Sequence, residues 1–291
     1  MLGEIAGSGA TAWWVWPIAL FVVSFALGIV AVLAGVGGGV LFVPIVGGFF
    51  PFHLDFVRGA GLLLALSGAL SAAPALMRGG FASLRLAMPF ALVGSVTSVA
   101  GALLGLALPA EVVQLALGLT ILAIVVLMWK STTPAEGKVG QPDRFAVALG
   151  MQGSYHDPAE GRDIDWQVRR VPAGLVAFAG IGVIAGMFGL GAGWANVPVL
   201  NLLLGVPLKL SVGTSGLLLS VVDTSAAWIY VHRGAVLPML VVPSIVGVML
   251  GAKIGARLLR IAPTAIVRRV VITLLLIASV RAILKGLGIW T

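Results

Sequence analysis

Charge is absent from long stretches of this chain, and those stretches set its elements. No Asp, Glu, Lys or Arg lies between Glu4 and Asp55, and residues 59–77, 86–110, 112–129, 171–208 and 234–252 are equally free of them. A hydrocarbon core of about 30 Å calls for about 20 apolar residues per helix, so several of these runs are long enough to cross a bilayer. Apolar residues fill every side of the helical wheel in these runs, whereas a soluble helical core would leave each helix a polar face. Nor do they alternate with polar residues over short segments, as a β-barrel requires. The pattern predicts an all-α polytopic membrane protein.

The apolar runs fall into two sets of five. The first set covers about 13–34, a short 38–50, 54–77, 82–107 and 110–129; the second covers about 171–188, a short 193–204, 209–231, 236–259 and 264–285. Shifting the sequence against itself by 154 positions superposes Gly28 on Gly182, Gly35 on Gly189, Gly37 on Gly191, Gly39 on Gly193 and Pro44 on Pro198. The same offset then superposes Gly59 on Gly213, Gly80 on Gly234, Pro89 on Pro243, Gly101 on Gly255 and Pro109 on Pro263. Glycine matches come cheaply among 40 glycines, but three proline matches among 15 prolines do not. The chain therefore reads as an internal duplication. Residues 1–129 form a first transmembrane repeat, 130–170 an aqueous linker and 171–291 a second repeat. The fold expected is eight full spans plus two short elements that begin at glycines, or ten crossings with inverted repeats.

The linker carries six of the ten acidic residues, and its segment VALGMQGSYHDPAEGRDIDWQVRR alternates in character around DPAEG, which predicts a small hairpin. Arg78, Arg85, Arg144, Arg169, Arg170 and Lys209 gather at the linker end of the bundle, and this excess of basic residues predicts that the central loop is cytoplasmic.

Composition narrows the function. The chain has 291 residues, 60% of them hydrophobic and only 10% charged, with a formal net charge of +8 and no cysteine. Thiol chemistry and disulfides are excluded. The basic residues sit at helix ends without an aromatic-interleaved basic face, so nucleic acid is not an expected partner. The first apolar run has no basic flank, so no cleaved signal peptide is expected. His53, His156 and His232 lack metal-ligand spacing, and no Walker, HExxH or dinucleotide motif occurs. Neither a metal nor a cofactor is expected, and an enzyme would lack convergent acid–base groups.

The two glycine motifs, GVGGG at 35–39 and GLGAG at 189–193, are each followed by a proline five residues on. Non-helical backbone at membrane depth is tolerated only against protein or a water-filled cavity, so each motif predicts a buried break. The short helix that starts after each break presents N–H groups without intrahelical acceptors, at the positive end of the helix dipole. Two such starts meeting at the centre would bind an anion largely with backbone, as in broken-helix transporters. Gly37, Gly38, Gly39, Gly191 and Gly193 are the candidate backbone donors; close packing through small residues is the competing explanation.

Side chains near the motifs extend the candidate site. Trp194 and Asn196 fall on the first turn after the second break, and Ser211, Thr214 and Ser215 on the start of the next helix, where hydroxyls can bind an oxyanion or simply bond back to their own helix. The positions one repeat earlier are Val57, Ala60 and Gly61, so Arg58 is the candidate for polarity on that side. Asp223 interrupts the apolar LLLSVVDTSAAWIY. A carboxylate inside a membrane helix is costly and marks either proton coupling or a polar lock between helices.

The duplicated AGVGGGVLFVPIV and AGMFGLGAGWANVPVLNLLLGVPLKLSVGTS, with the linker segment GSYHDPAEGRDIDWQVRRVPAG, resemble the TauE/SafE permeases, also described as sulfite exporters. The resemblance covers about residues 17 to 285. It implies a prokaryotic plasma-membrane protein that moves sulfite, sulfoacetate or a related small anion outward, by a uniport or proton-linked route. By position, the family's glycine motif falls on Gly35, Gly37, Gly38 and Gly39 and on Gly189, Gly191 and Gly193, its motif proline on Pro44 and Pro198, and its Thr-Ser pair on Thr214 and Ser215. The chain departs from the family pattern at Ala192, at Ala60 and Gly61, and at Gly216.

The resulting expectation is a secondary transporter of a small oxyanion, with the lipid bilayer as its surroundings. A passive anion channel and a carrier of another small carboxylate or sulfur-containing anion are the alternatives, and homodimerisation through small-residue faces stays open.

Overall fold

The computed structural model describes residues 14–34, 37–78, 80, 82–130, 143–157, 162–258 and 264–289. Its helices are α1 (Val15–Ala34), α2 (Gly38–Phe49), α3 (Leu54–Arg78), α4 (Leu84–Ala107), α5 (Ala110–Lys130), α6 (Arg144–Ala148), α7 (Val171–Phe188), α8 (Gly193–Pro198), α9 (Leu208–His232), α10 (Pro238–Leu258) and α11 (Thr264–Gly286). A π-helical turn over Val199–Leu203 prolongs α8. Strands β1 (Gln152–Asp157) and β2 (Arg162–Gln167) pair antiparallel between α6 and α7.

The expected count of membrane crossings is overturned. Among the described residues, five helices are long and apolar enough to span a bilayer, over Leu54–Ser71, Leu84–Ala107, Val171–Phe188, Leu208–His232 and Pro238–Gly255. The eight full spans with two short elements, and likewise the ten crossings, do not describe this molecule. The physical reason is that spanning takes sustained apolar length as well as freedom from charge. Helix α2 has 12 residues, the described apolar parts of α1 and α5 are Val15–Ala31 and Ala110–Val126, and α11 carries Arg268, Arg269, Arg281 and Lys285 in its sequence.

The elements recur at the 154-residue offset, α1 with α7, α2 with α8, α3 with α9, α4 with α10 and α5 with α11. Packing follows the same correspondence, but crosswise. Helix α1 lies along α10 and α7 along α4, so each first helix is held by the fourth helix of the other set, while α3 packs on α9 and α5 on α11. Both crossed seams depend on missing side chains. A Cβ at Gly28 would stand 2.6 Å from the Val248 carbonyl oxygen, and one at Gly182 would stand 2.5 Å from that of Gly94. These are equivalent contacts, because Gly94 and Val248 are themselves 154 positions apart. Without a difference in hydrophobicity between lipid and helix, close backbone approach is what drives such pairs together.

Helix α4 shows what faces outward. Leu84, Met88, Leu92 and Val96 recur every four residues and are all exposed, a lipid-facing stripe that begins at the first residue of the helix. The hairpin closes one end of the bundle. In its register Gly153 pairs with Trp166 and Tyr155 with Ile164, so these four share one face, and Tyr155 and Trp166 are buried in a cluster with Leu86, Phe90, Val171, Leu200 and Leu204.

Candidate functional site

The two glycine motifs meet. Helix α7 ends at Gly189, whose φ of 69° is left-handed, and a second left-handed glycine, Gly191 at φ 70°, turns the chain into α8. Both values are open to glycine and costly for other residues. On the other side Gly37 is the extended residue before α2. A Cβ at Gly193 would lie 3.5 Å from both Cα and N of Gly37, and one at Gly39 would lie 2.6 Å from the Leu190 carbonyl oxygen and 2.9 Å from that of Gly61. The first turns of the two short helices are thus in backbone contact. Gly38 is the roomier position, its nearest neighbour being a Val248 methyl at 3.5 Å. Gly35, the first residue of the first motif, falls outside the described residues.

Buried polar atoms of three side chains around the second break have no hydrogen-bond partner. They are both amide atoms of Asn196, the indole Nε1 of Trp194 and both carboxylate oxygens of Asp223. Asn196 and Asp223 are fully buried. A Cβ at Gly191 would come within 3.0 Å of Asp223 Oδ2, which fixes the carboxylate against the break. The Ala192 amide lies close to the same carboxylate without reaching hydrogen-bond geometry. The Ala192 carbonyl, in turn, accepts from the Asn196 backbone N–H at 3.1 Å. Asn196 and Asp223 therefore flank one residue. Unsatisfied groups of this kind are uncommon in a folded protein and call for a water, an ion or a solute.

The remaining expected residues are differently engaged. Ser211 donates to the carbonyls of Val206 at 3.2 Å and Pro207 at 3.0 Å, closing the first turn of α9. Thr214 accepts from the Ser83 amide at 3.2 Å, just before α4. Ser215 is buried one residue further along α9. These hydroxyls precede Leu219 and Asp223, which touch the second break, by one to three helical turns.

The Arg58 backbone packs against Gly189, where a Cβ would stand 2.5 Å from the Arg58 Cα, but the Arg58 side chain is spent on other partners. Its Nη1 donates to the Met187 carbonyl at 2.9 Å, its Nη2 is paired with Asp55, and its guanidinium sits 5.8 Å from the centre of the Tyr230 ring. Tyr230 itself donates to Gly186 at 2.9 Å. Sequence reasoning missed Tyr230, whose signal was a lone phenol in the last turns of an apolar helix, and it also missed that α7 ends on a carbonyl needing a donor. The cluster supplies a cation to a helix C-terminus, where the dipole favours it.

A groove of about 380 Å³ opens elsewhere, lined by Phe49, Leu276, Ile277, Val280, Arg281 and Leu284. Its walls are mostly exposed apolar side chains, a surface suited to acyl chains and not to an anion. Among the described residues no group of three or more His, Asp or Glu side chains could hold a metal ion.

The sequence model of one protein family, described as Sulfite exporter TauE/SafE, matches residues 20–282. That match takes in all but the ends of the chain. The chain belongs to the sulfite exporter TauE/SafE family. No curated protein and no solved structure matches it. As a TauE/SafE protein with a helical, multi-pass membrane architecture, it has a general role in anion transport and is not an enzyme.

Proposed function

We propose that the chain is a secondary transporter, working as an exporter, of a small oxyanion such as sulfite or an organosulfonate like sulfoacetate. The observation that carries this reading is the backbone contact between Gly37 and Gly193, which brings the starts of α2 and α8 to one point beside buried, unpartnered donors. Helix starts stabilise negative charge without a buried cation, and Trp194 Nε1 and Asn196 Nδ2 add neutral donors. Gly38 gives the roomier approach. Ser211, Thr214 and Ser215, about two to three turns before Asp223 on α9, extend the polar side of this reading, while Arg58, bonded to the last turn of α7 beside the Gly189 break, acts as a structural cation. The chain is read as two repeats, 1–129 and 171–291, joined by the linker 130–170, in a prokaryotic plasma membrane with that linker in the cytoplasm.

Asp223 is the coupling candidate in this reading. A carboxylate at the break repels an arriving anion unless one of the two carries a proton, so solute and proton move together. Counterflow in proteoliposomes across sulfite, sulfoacetate, thiosulfate and sulfate, with internal pH recorded, tests substrate and coupling at once. Saturable exchange of a sulfur oxyanion is expected. Unsaturable flux at channel rates would favour a passive pore, and selective counterflow of carboxylates would move the substrate class.

A further inference from the structure

The five-residue helix α6 is the least explained part of the surface. It lies in the linker, yet Phe145, Val147 and Leu149 are 57%, 55% and 46% exposed, and only Ala146 is buried. Three large apolar side chains on one short aqueous segment are unfavourable unless something apolar covers them.

Its position shows what that is. Contacts between α4 and α7 advance in step, from the stacked rings of Phe90 and Phe178 at 4.8 Å, through Gly94 and Gly182, to Gly105 and Met187. The two helices are parallel, so Leu84, Arg85, Arg170 and Val171 share one end of the bundle. Helix α6 packs on α7, and Ala146 belongs to the buried cluster that holds Leu86 and Val171, which places α6 at that same end. The lipid-facing stripe of α4 starts there, at Leu84.

Charge divides across the same module. Arg85, Arg144 and Arg170 are exposed around α6, with Asp143 half-buried before it. On the hairpin, Asp163 and Asp165 are exposed and alternate with the inward Ile164 and Trp166, so the acidic residues occupy the outer face of β2.

We propose that residues 144–149 are a membrane-surface anchor that inserts Phe145 and Leu149, which share one helical face, into the headgroup region of an anionic bilayer, with Val147 at its edge and Arg85, Arg144 and Arg170 on lipid phosphates. Apolar side chains flanked by arginine bind such surfaces by burial and by attraction to anionic lipid together. The anchor is independent of which solute is carried. The linker that carries it also ends on the turn after α8, where the Arg169 amide donates to the Leu204 carbonyl at 3.0 Å.

The absence of cysteine makes the test direct. Phe145→Cys and, as comparator on the outer hairpin face, Ser154→Cys are each labelled with an environment-sensitive fluorophore and reconstituted in phosphatidylcholine vesicles with or without phosphatidylglycerol. Both positions are exposed, so neither change disturbs the fold. The expected result is a probe at 145 that is quenched by shallow lipid-borne nitroxide, is shielded several-fold from aqueous iodide relative to 154, and is more shielded when phosphatidylglycerol is present. Arg144→Glu should remove that dependence on anionic lipid. Equal iodide access at 145 and 154 overturns the proposal. Shielding without lipid quenching also overturns it and assigns the face to another protein or a second copy.

Discussion

Arg58 Nη1 donates to the carbonyl of Met187 at 2.9 Å, although the two residues are 129 positions apart. The bond joins the start of α3 to the last turn of α7, and the Tyr230 hydroxyl meets the same turn through Gly186. Arg58→Ala removes a charge-assisted bond inside the protein and leaves the Met187 carbonyl with less than its donors. A loss of about 2–3 kcal/mol in stability is expected, read as a lower unfolding midpoint of the detergent-solubilised protein. An unchanged midpoint with weakened substrate affinity would return Arg58 to the solute site.

The glycine positions separate binding from folding. At Gly39 a Cβ meets two backbone carbonyls that cannot yield, so Gly39→Ala should cost about 1–3 kcal/mol by overpacking and lower the yield of folded protein. At Gly38 the neighbour is a side-chain methyl, so Gly38→Val should fold while filling the approach to α2. Its expected signature is a normal elution profile with transport abolished in proteoliposomes. Normal flux through Gly38→Val would remove the helix start from the binding site.

Asp223→Asn keeps the size of the side chain and removes its charge. If the carboxylate carries the proton, flux in the variant no longer responds to an imposed pH gradient, whereas exchange of solute at equal pH persists. The measurement is gradient-driven uptake against counterflow in the same vesicles. Retained gradient dependence would make Asp223 a polar lock between α9 and the Ala192 turn.

The crossed seams predict paired effects. Gly28→Ala and Gly182→Ala share a clash with an equivalent carbonyl, and Gly182→Ala meets Thr97 Oγ1 as well; each should destabilise by about 1–3 kcal/mol, the second more than the first. Gly180, on the same helix as Gly182, has open space where its Cβ would go. Gly180→Ala should therefore gain up to about 1 kcal/mol through helix propensity. Thermal unfolding of the three variants in one detergent compares them.

The helix limits were legible because charge, proline and glycine punctuate them. The elements read from the runs agree with the observed helices to within two residues, including the restart at Gly193. How many of them span was not legible, since a run free of charge does not record whether hydropathy stays high along a full spanning length. Nearness in the fold was partly legible. Matched motifs predicted that the starts of the two short helices would meet, but nothing in the pattern says which glycines touch, that Thr214 faces Ser83 or that Arg58 faces Met187, because those contacts depend on how helices cross. Asp223 was visible as an isolated carboxylate; that it sits against Gly191 was not.

The exchange of first helices between the two sets makes α1 with α10, and α7 with α4, the tightly joined plates of this molecule. Neither plate is contiguous in sequence. A chain severed between residues 130 and 143 would yield two fragments that each lack the partner for their opening helix, and they should accumulate only when made together. Any rocking that opens the bundle has to carry those composite plates as units, so the mechanical halves of the protein are not its genetic ones.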